Sequence, residues 1–248
     1  MHQRDNFEDF KKLLKDADGE FQVIEHQVPI ETQMEYFIYS NRMRSVRRLD
    51  ERVDFEKFAS KLCDSETILD DKKKLLSTLA ISKQAKAYRI LQGYLQAPDE
   101  ELKDWAHMAL MESRVMLESE FSDEKQIYIS TGMGGKGNRL RFYILMLSSS
   151  GNQFLDYQQQ VIEREFAYAL HKDDCEMEEL TVKENYVELI VLAPILTNIK
   201  RFIENVVSEC NQYGNFISNT ITVTNVKRLT ENEIAQIIKK HENSRTSS

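Results

Sequence analysis

The first half of the chain places its hydrophobic residues at helical spacing. Apolar side chains recur every three or four positions in residues 7–16 and again from Asp54 to Glu120, where short polar breaks divide the pattern into four segments. The last of these segments opens with Pro98 and acidic residues, as helices commonly do. No segment is long enough to bury its apolar stripe alone, so the helices must pack together.

Residues 20–42 leave two structures open. Phe21 and Val23 alternate as in a short strand, whereas Met34, Phe37 and Ile38 fit one face of a helix. We assign this segment, together with the helices on either side of it, to a predicted all-helical domain over residues 1–122.

The pattern changes after residue 125. Segments that alternate or run apolar now separate two amphipathic helices, in the order β-α-β-β-α-β, and the strand-like "IYIST" precedes them. A last helix, "TENEIAQIIKKHE", follows, with Thr230 and Glu233 at the spacing of a capping box. Residues 123–248 are therefore predicted to form an α+β domain with an extra N-terminal strand and a C-terminal helix.

Two resemblances follow from these segments. The stretch "AKAYRILQGYLQAPDEELKDWAHMALMES" has a Pro/Asp turn followed by leucine and a small-residue stripe, and it resembles HEAT-type repeats over about residues 66–118. This resemblance implies a protein-interaction scaffold, and a small helical bundle is the alternative. The β-α-β-β-α-β order resembles the ferredoxin-like fold. Since the first strand lies in the middle of that sheet, "IYIST" must pair elsewhere or the sheet has a variant order.

The stretch "STGMGGKGNRLRF" raises the question of a nucleotide-binding loop. Four of the chain's eight glycines lie in it, with the spacing G-x-G-x-x-G. A strand follows, however, so no helix N-terminus can meet a pyrophosphate. Asn138 follows Gly137 where a P-loop has lysine, and the chain lacks the other kinase motifs. All three nucleotide-binding classes are therefore excluded.

Two interpretations of this glycine segment remain. It is either a hairpin loop or an anion-binding nest of backbone amides. Alternation along the next strand puts its arginines and one tyrosine on a single face, which we expect to be open and to include Thr220, Thr222 and Thr224 of the last strand. The candidate ligand- or partner-binding residues are Gly132, Gly134, Gly135, Lys136, Gly137, Arg139, Arg141 and Tyr143.

A second candidate surface is basic. It forms either a solvated helix face paired with neighbouring acids or a docking patch for an acidic partner or RNA. The net charge of −8 disfavours RNA, because an acidic chain repels phosphate backbones. The five arginines of this patch are Arg42, Arg44, Arg47, Arg48 and Arg52.

No catalytic residues, cofactor or metal site are predicted. Cys63, Cys175 and Cys210 form no CxxC pair, which fits a reducing cytoplasm and argues against structural zinc. The turn "HKDDCE" holds His171 close to Cys175, but its acids disfavour a reactive thiolate. The glutamates between residues 176 and 188 are predicted to form a solvated acidic edge. No apolar run is long enough to span a membrane.

These features predict a cytoplasmic, non-catalytic interaction or adaptor protein. Its helical domain would hold one protein partner, and the glycine segment with the adjoining sheet face would contact a second. The first alternative is a binding domain or enzyme that holds a phosphate-bearing ligand at residues 132–141. The second is an RNA- or ribosome-associated protein.

Overall fold

The computed structural model of the protein describes residues 20–46, 54–121 and 126–246. They belong to two compact units, a helical unit over Ala17–Gly132 and a sheet unit that takes in Met133–Ser248. The predicted α+β class, with helices first and then an antiparallel sheet with a C-terminal helix, is confirmed. The division between the units follows Gly132, ten residues beyond the predicted boundary at residue 122.

The helical unit also contains two short strands, one near each end of its sequence. Strand β1 (Glu20–Val23) pairs in parallel with β2 (Gln126–Ile129), and Phe21 lies opposite Ile127. The segment "IYIST" therefore pairs outside the main sheet, and this pairing moves the boundary between the units. The elements of this unit are β1 (Glu20–Val23), α1 (Ile30–Val46), α2 (Phe55–Cys63), α3 (Leu69–Ala80), α4 (Ala85–Tyr94), a 3-10 turn (Glu100–Leu102), α5 (Lys103–Phe121) and β2 (Gln126–Ile129).

Trp105 lies at the centre of the helical core. Its ring meets Tyr36 and Tyr39 of α1 edge-on, with centroids 5.1 and 5.4 Å away. Its indole N–H donates to the Ser77 hydroxyl of α3 at 3.2 Å, so the one polar atom of the ring is satisfied in the core. The tryptophan thus joins α1, α3 and α5. The large buried side chains around it include Leu62, Leu76, Leu79, Leu91, Leu102 and Met108.

A buried carboxylate also joins α1 to α5. Glu112 is 4% exposed and accepts hydrogen bonds from the hydroxyls of Tyr36 at 2.6 Å and Ser40 at 2.7 Å. The guanidinium of Arg44 pairs with the same carboxylate. Burial, followed by the negative charge of Glu112, raises the pKa of Tyr36, so the phenol keeps its proton and remains a donor.

The sheet unit follows the order β-α-β-β-α-β, with a C-terminal helix. All its strand pairs are antiparallel. β6 (Tyr186–Pro194) lies between β5 (Glu176–Val182) and β4 (Arg139–Ser148). On its other side, β4 pairs with β7 (Ile217–Thr224) and with the short β3 (Gly135–Lys136). The first strand of the series therefore lies inside the sheet. The elements are β3 (Gly135–Lys136), β4 (Arg139–Ser148), α6 (Asp156–Lys172), β5 (Glu176–Val182), β6 (Tyr186–Pro194), α7 (Ile199–Asn211), β7 (Ile217–Thr224) and α8 (Glu231–Thr246).

Both faces of the sheet are covered. Ile144 and Met146 of β4 share one core with Phe166 of α6 and Ile203 of α7, as the alternation predicted. The opposite face, which the sequence analysis expected to be open, packs against α8. The expectation was wrong because α8 has an apolar face of its own to bury. This second core contains Tyr143, Leu145 and Leu147 of β4 and Ile234 of α8, with Ile237 and Ile238 packed against it.

The start of α8 is capped as the sequence predicts. The Glu233 carboxylate accepts from the Thr230 backbone N–H at 2.9 Å, and the Glu233 N–H donates to the Thr230 hydroxyl at 3.4 Å. None of the helices within the described ranges is long and apolar enough to cross a membrane.

We expect the substitution Glu112→Ala to lower the free energy of unfolding by about 3 kcal/mol. It leaves the hydroxyls of Tyr36 and Ser40 and the charge of Arg44 without their shared acceptor. Urea unfolding measures the change. Glu120→Ala removes an exposed carboxylate that pairs with Lys83 and should change stability by less than about 0.5 kcal/mol. Equal effects of the two variants would contradict the role of Glu112.

Candidate functional site

The glycine segment forms a tight hairpin, the first of its two interpretations. Gly135 and Lys136 pair with the start of β4, so Gly137 and Asn138 form a two-residue turn. The φ angle of Gly137 is 60°, in the left-handed region that favours glycine. The carbonyl of Gly134 accepts from the Arg141 N–H at 3.1 Å, which holds the segment against β4.

The cations beside this hairpin are paired with acids at β5 and the turn before it. Arg141 donates from Nη2 to the Glu178 carboxylate at 2.8 Å and from Nη1 to the Met133 carbonyl at 2.8 Å. Arg139 donates to Asp174 at 2.7 Å. The structure therefore brings the predicted basic residues together, but it also supplies protein carboxylates where a ligand anion was expected. The ammonium group of Lys136 also lies beside an acid, 3.5 Å from the carboxylate of Glu176.

Tyr143 is buried beneath α8 rather than displayed on an open face. Its hydroxyl donates to Glu188 at 2.9 Å, and Arg228 donates to the same carboxylate at 3.3 Å. Burial, followed by the contact with Glu188, raises the pKa of Tyr143, so the phenol stays protonated. Arg228 also binds both oxygens of Glu179, at 2.8 and 2.9 Å, and lowers the pKa of that carboxyl. Four of the five glutamates of this hairpin are thus ion-pair partners rather than parts of a fully solvated edge: Glu176, Glu178, Glu179 and Glu188.

The predicted arginine patch is only partly described. Arg42 is exposed on α1, whereas Arg44 turns to the buried Glu112. The remaining members, Arg47, Arg48 and Arg52, lie outside the described residues.

The thiol at the turn before β5 has no features of a nucleophile. Cys175 is buried, and burial together with the charge of Asp173 raises its pKa to about 11. Within residues 20–46, 54–121 and 126–246, no cluster of three or more His, Cys, Asp or Glu side chains is arranged to hold a metal ion.

A stacked histidine pair is a feature that the sequence did not indicate. The rings of His26 and His107 lie 3.4 Å apart and nearly parallel, and Asp104 lies 3.5 Å from His26. Burial, followed by the charge of His26, lowers the pKa of His107 to about 4. The two histidines are far apart in the chain, and only the packing of the segment after β1 against α5 brings them together.

The solvent side of α6 carries a ridge of exposed aromatic and polar side chains. Its positions follow one another at helical spacing and therefore lie on one face of the helix. Tyr157 is 48% exposed and Tyr168 is 67% exposed. None of the ridge positions is acidic. We define the tyrosine ridge as Tyr157, Gln160, Arg164, Tyr168 and His171 of α6, together with Tyr213 beyond the end of α7.

Contacts between α6 and the segment after α7 organise this ridge. The Arg164 guanidinium lies 5.6 Å from the centroid of the Tyr213 ring and donates to its hydroxyl oxygen at 3.2 Å. Glu165, on the flank of the ridge, also pairs with Arg164 at 3.0 Å. The Tyr157 ring meets Phe216 edge-on, with centroids 6.5 Å apart. The ridge therefore offers exposed aromatic rings, one of which lies against a guanidinium.

The tyrosines of this ridge were not among the predicted binding residues. Arg164 and Tyr168 follow Tyr157 at i+7 and i+11, a spacing that places all three on one face. Tyr213 could not be added from the helix pattern, because it reaches the ridge from another element.

No protein-family model matches the chain, and no curated protein matches it. Among solved structures, a putative transposase from Deinococcus radiodurans R1 has a TM-score of 0.34 and 18% identity, over 42% of this chain and 90% of that chain. A REP-associated tyrosine transposase bound to a REP hairpin has a TM-score of 0.32 and 11% identity, over 39% of this chain and 61% of that chain.

These neighbours correct the function predicted from the sequence. Both are transposases, so the expectation of a non-catalytic interaction or adaptor protein is contradicted. That expectation had treated the lack of a catalytic motif as evidence for an adaptor. At such low identities and TM-scores, no residue role or activity is transferred from these structures to this chain.

The turn geometry predicts that Gly137→Ala destabilises the protein by about 1 kcal/mol, because an L side chain is strained at a φ angle of 60°. Gly93→Ala is the matched control, since Gly93 lies in α4 with open space where a Cβ would be. That control should stabilise the protein by about 0.8 kcal/mol. Urea unfolding compares the two, and a stabilising Gly137→Ala would contradict the turn conformation.

The lowered pKa of His107 predicts that stability falls on acidification. Unfolded His107 takes a proton near pH 6.5 and folded His107 only near pH 4, so the unfolded state binds more protons between these values. Stability should therefore decrease as the pH falls from 6.5 towards 4. Since the ring is half-buried, we expect a loss on the order of 1 kcal/mol.

Urea unfolding at neutral pH and near pH 4 tests this expectation with His107→Gln. The variant should lose less stability on acidification than the wild type. The control His171→Gln removes an exposed histidine, and it should lose as much stability on acidification as the wild type. An unchanged pH dependence in His107→Gln would contradict the assignment.

Proposed function

We propose that the sheet unit binds single-stranded nucleic acid along the tyrosine ridge. The observation that carries this proposal is a row of three exposed phenol rings, one of them in contact with Arg164, on a ridge without an acidic side chain. Unpaired bases stack on such rings with about 1–3 kcal/mol each, whatever their sequence. The proposal rests on these side chains and not on the transposase structures.

The length of the ridge suits a strand rather than a single base. Tyr157 and Tyr168 are separated by about 16 Å along the α6 axis, at a rise of about 1.5 Å per residue. Tyr213 contacts Arg164, which lies between them in the sequence of α6. Several consecutive bases could therefore meet an aromatic ring or the guanidinium plane.

Stacking must supply most of the affinity, because the sheet unit is slightly acidic. Residues 133–248 contain 13 Lys and Arg and 15 Asp and Glu. Few phosphates can be neutralised, so the affinity for nucleic acid should fall only slightly as the salt concentration rises. A duplex keeps its bases stacked inside and should bind more weakly than a single strand. Glu165 restrains Arg164 and should weaken binding further.

Fluorescence anisotropy with labelled oligo-dT, oligo-rU and a duplex of equal length tests this proposal. Tyr168→Ala should lower the affinity for a single strand by roughly 5- to 150-fold, the loss of one stacked base. Tyr168→Phe keeps the ring and should bind nearly as well as the wild type. Glu165→Gln releases Arg164 and should bind more tightly.

Lys183→Ala is the control, because it removes an exposed charge from the β5–β6 turn, outside the ridge. The proposal fails if the wild type binds neither single strand, or if Tyr168→Ala and Lys183→Ala bind alike. Preference for the DNA or the RNA strand then decides which nucleic acid the ridge takes.

We also propose a cytoplasmic location. Cys63, Cys175 and Cys210 are all free, which supports a reducing compartment. The resemblance of residues 66–118 to HEAT-type repeats, the predicted protein partner and the binding role of the glycine segment remain predictions.

A further inference from the structure

A serine-rich loop follows β4. Its residues 148–152 have the sequence "SSSGN" and lead towards α6. The Ser150 hydroxyl accepts the Asn152 N–H at 3.2 Å and lies 3.2 Å from the hydroxyl of Ser148. Ser148 is buried, whereas Ser150 is exposed. When Ser148 donates to Ser150, the proton of the exposed hydroxyl is left for an acceptor outside the protein.

The sheet-facing side of α8 extends towards this loop. Ile234, Ile238, His241 and Arg245 follow one another at helical spacing and therefore lie on one face of the helix. The two isoleucines pack into the core below α8, and His241 Nε2 lies 2.8 Å from the hydroxyl of Ser218 in β7. Arg245 continues this row one turn beyond His241.

The guanidinium of Arg245 lies against Gly151 of the loop. A Cβ atom built on this glycine would be 2.7 Å from Arg245 Nη1, so a side chain here would displace the guanidinium. Arg139, Arg141 and Arg228 each pair with a carboxylate. Arg245, by contrast, has no hydrogen-bond or ion-pair partner within the part of the chain that the structure describes. Its planar fork of N–H groups is available, and such a fork matches two oxygens of a phosphate.

The loop adjoins one end of the tyrosine ridge. The Ser149 hydroxyl donates to the Asn215 carbonyl at 2.8 Å, and the Ser149 N–H donates to the Phe216 carbonyl at 2.9 Å. The Phe216 ring in turn meets Tyr157, and Tyr213 precedes Asn215 by two residues. A strand that stacks on these rings carries a phosphate between successive bases, so its backbone can pass beside the loop.

We propose that Arg245 and Ser150 form a phosphate-binding subsite, which holds a backbone phosphate of the strand stacked on the tyrosine ridge. This inference rests on the proposed nucleic-acid binding and adds a contact that the ridge itself does not supply. Stacking surfaces and backbone cations act together in proteins that bind single strands without sequence preference. His241 is a positioning residue here, because its bond to Ser218 holds the last turns of α8 beside the loop.

Fluorescence anisotropy with labelled oligo-dT at several salt concentrations tests the subsite. Arg245→Gln should lower the affinity by roughly 2- to 5-fold, within the range of an exposed ion pair. The slope of log affinity against log salt concentration should become shallower by about 0.7, the value for one phosphate contact with a single strand. Arg245→Lys keeps the charge and should keep the slope. Ser150→Ala should weaken binding but leave the slope unchanged, since no charge is lost.

Lys239→Gln is the matched control. It removes the same charge from an exposed position on another face of α8, so its affinity and its slope should equal those of the wild type. Arg245 is exposed, and its replacement is not expected to unfold the protein. Wild-type affinity in Arg245→Gln or in Ser150→Ala would overturn the subsite.

Oligo-dT with an uncharged methylphosphonate backbone separates this inference from the proposed function. The wild type and Arg245→Gln should bind this neutral strand equally well, because only stacking on the ridge remains. If Arg245→Gln and Lys239→Gln bind charged oligo-dT alike while Tyr168→Ala binds it weakly, the ridge stands and the phosphate subsite is refuted. If the wild type binds neither strand, both the nucleic-acid function and the subsite fail.

Discussion

The sheet unit depends on the burial of β4 on both faces. Its even-numbered side chains, such as Ile144, lie in the core below α6 and α7, and its odd-numbered ones, such as Tyr143, lie below α8. A shift of one residue would exchange the two sets, so two separate cores fix one register. That register also decides which charged residues meet, since Arg141 and Tyr143 reach Glu178 and Glu188 from the α8 face.

Charged side chains in this protein largely serve its own fold. Arg228 holds two glutamates of the β5–β6 hairpin, and Arg44 turns to the buried Glu112. An arginine held by a buried or bidentate carboxylate is poorly available to a phosphate, because releasing it would strand the carboxylate. This is why the basic residues of the glycine segment do not form an obvious anion site. The tyrosine ridge differs from these sites, because aromatic rings rather than charges dominate its surface.

The sequence predicted the hairpin of the glycine segment as one of two structures, but it did not predict which elements pack around that hairpin. The strand after Gly137 was enough to exclude the dinucleotide class, and Asn138 in place of lysine excluded the P-loop. The hairpin was already one of two interpretations. The prediction of an open sheet face was wrong because it did not include the packing of α8 against that face. The predicted function failed for a related reason: it rested on the lack of a recognised motif, and that lack does not make a chain an adaptor.

Local periodicity determined the α+β class, the β-α-β-β-α-β order, the two faces of β4 and the capping box at Thr230, because each depends on residues close together in the chain. Tertiary structure alone decided that β2 pairs with β1, that α8 covers Tyr143, and that Tyr213 joins Arg164. A hydrophobic pattern records which face of an element must be buried. It does not record which distant segment buries it, and the candidate sites of this protein are set by those distant contacts.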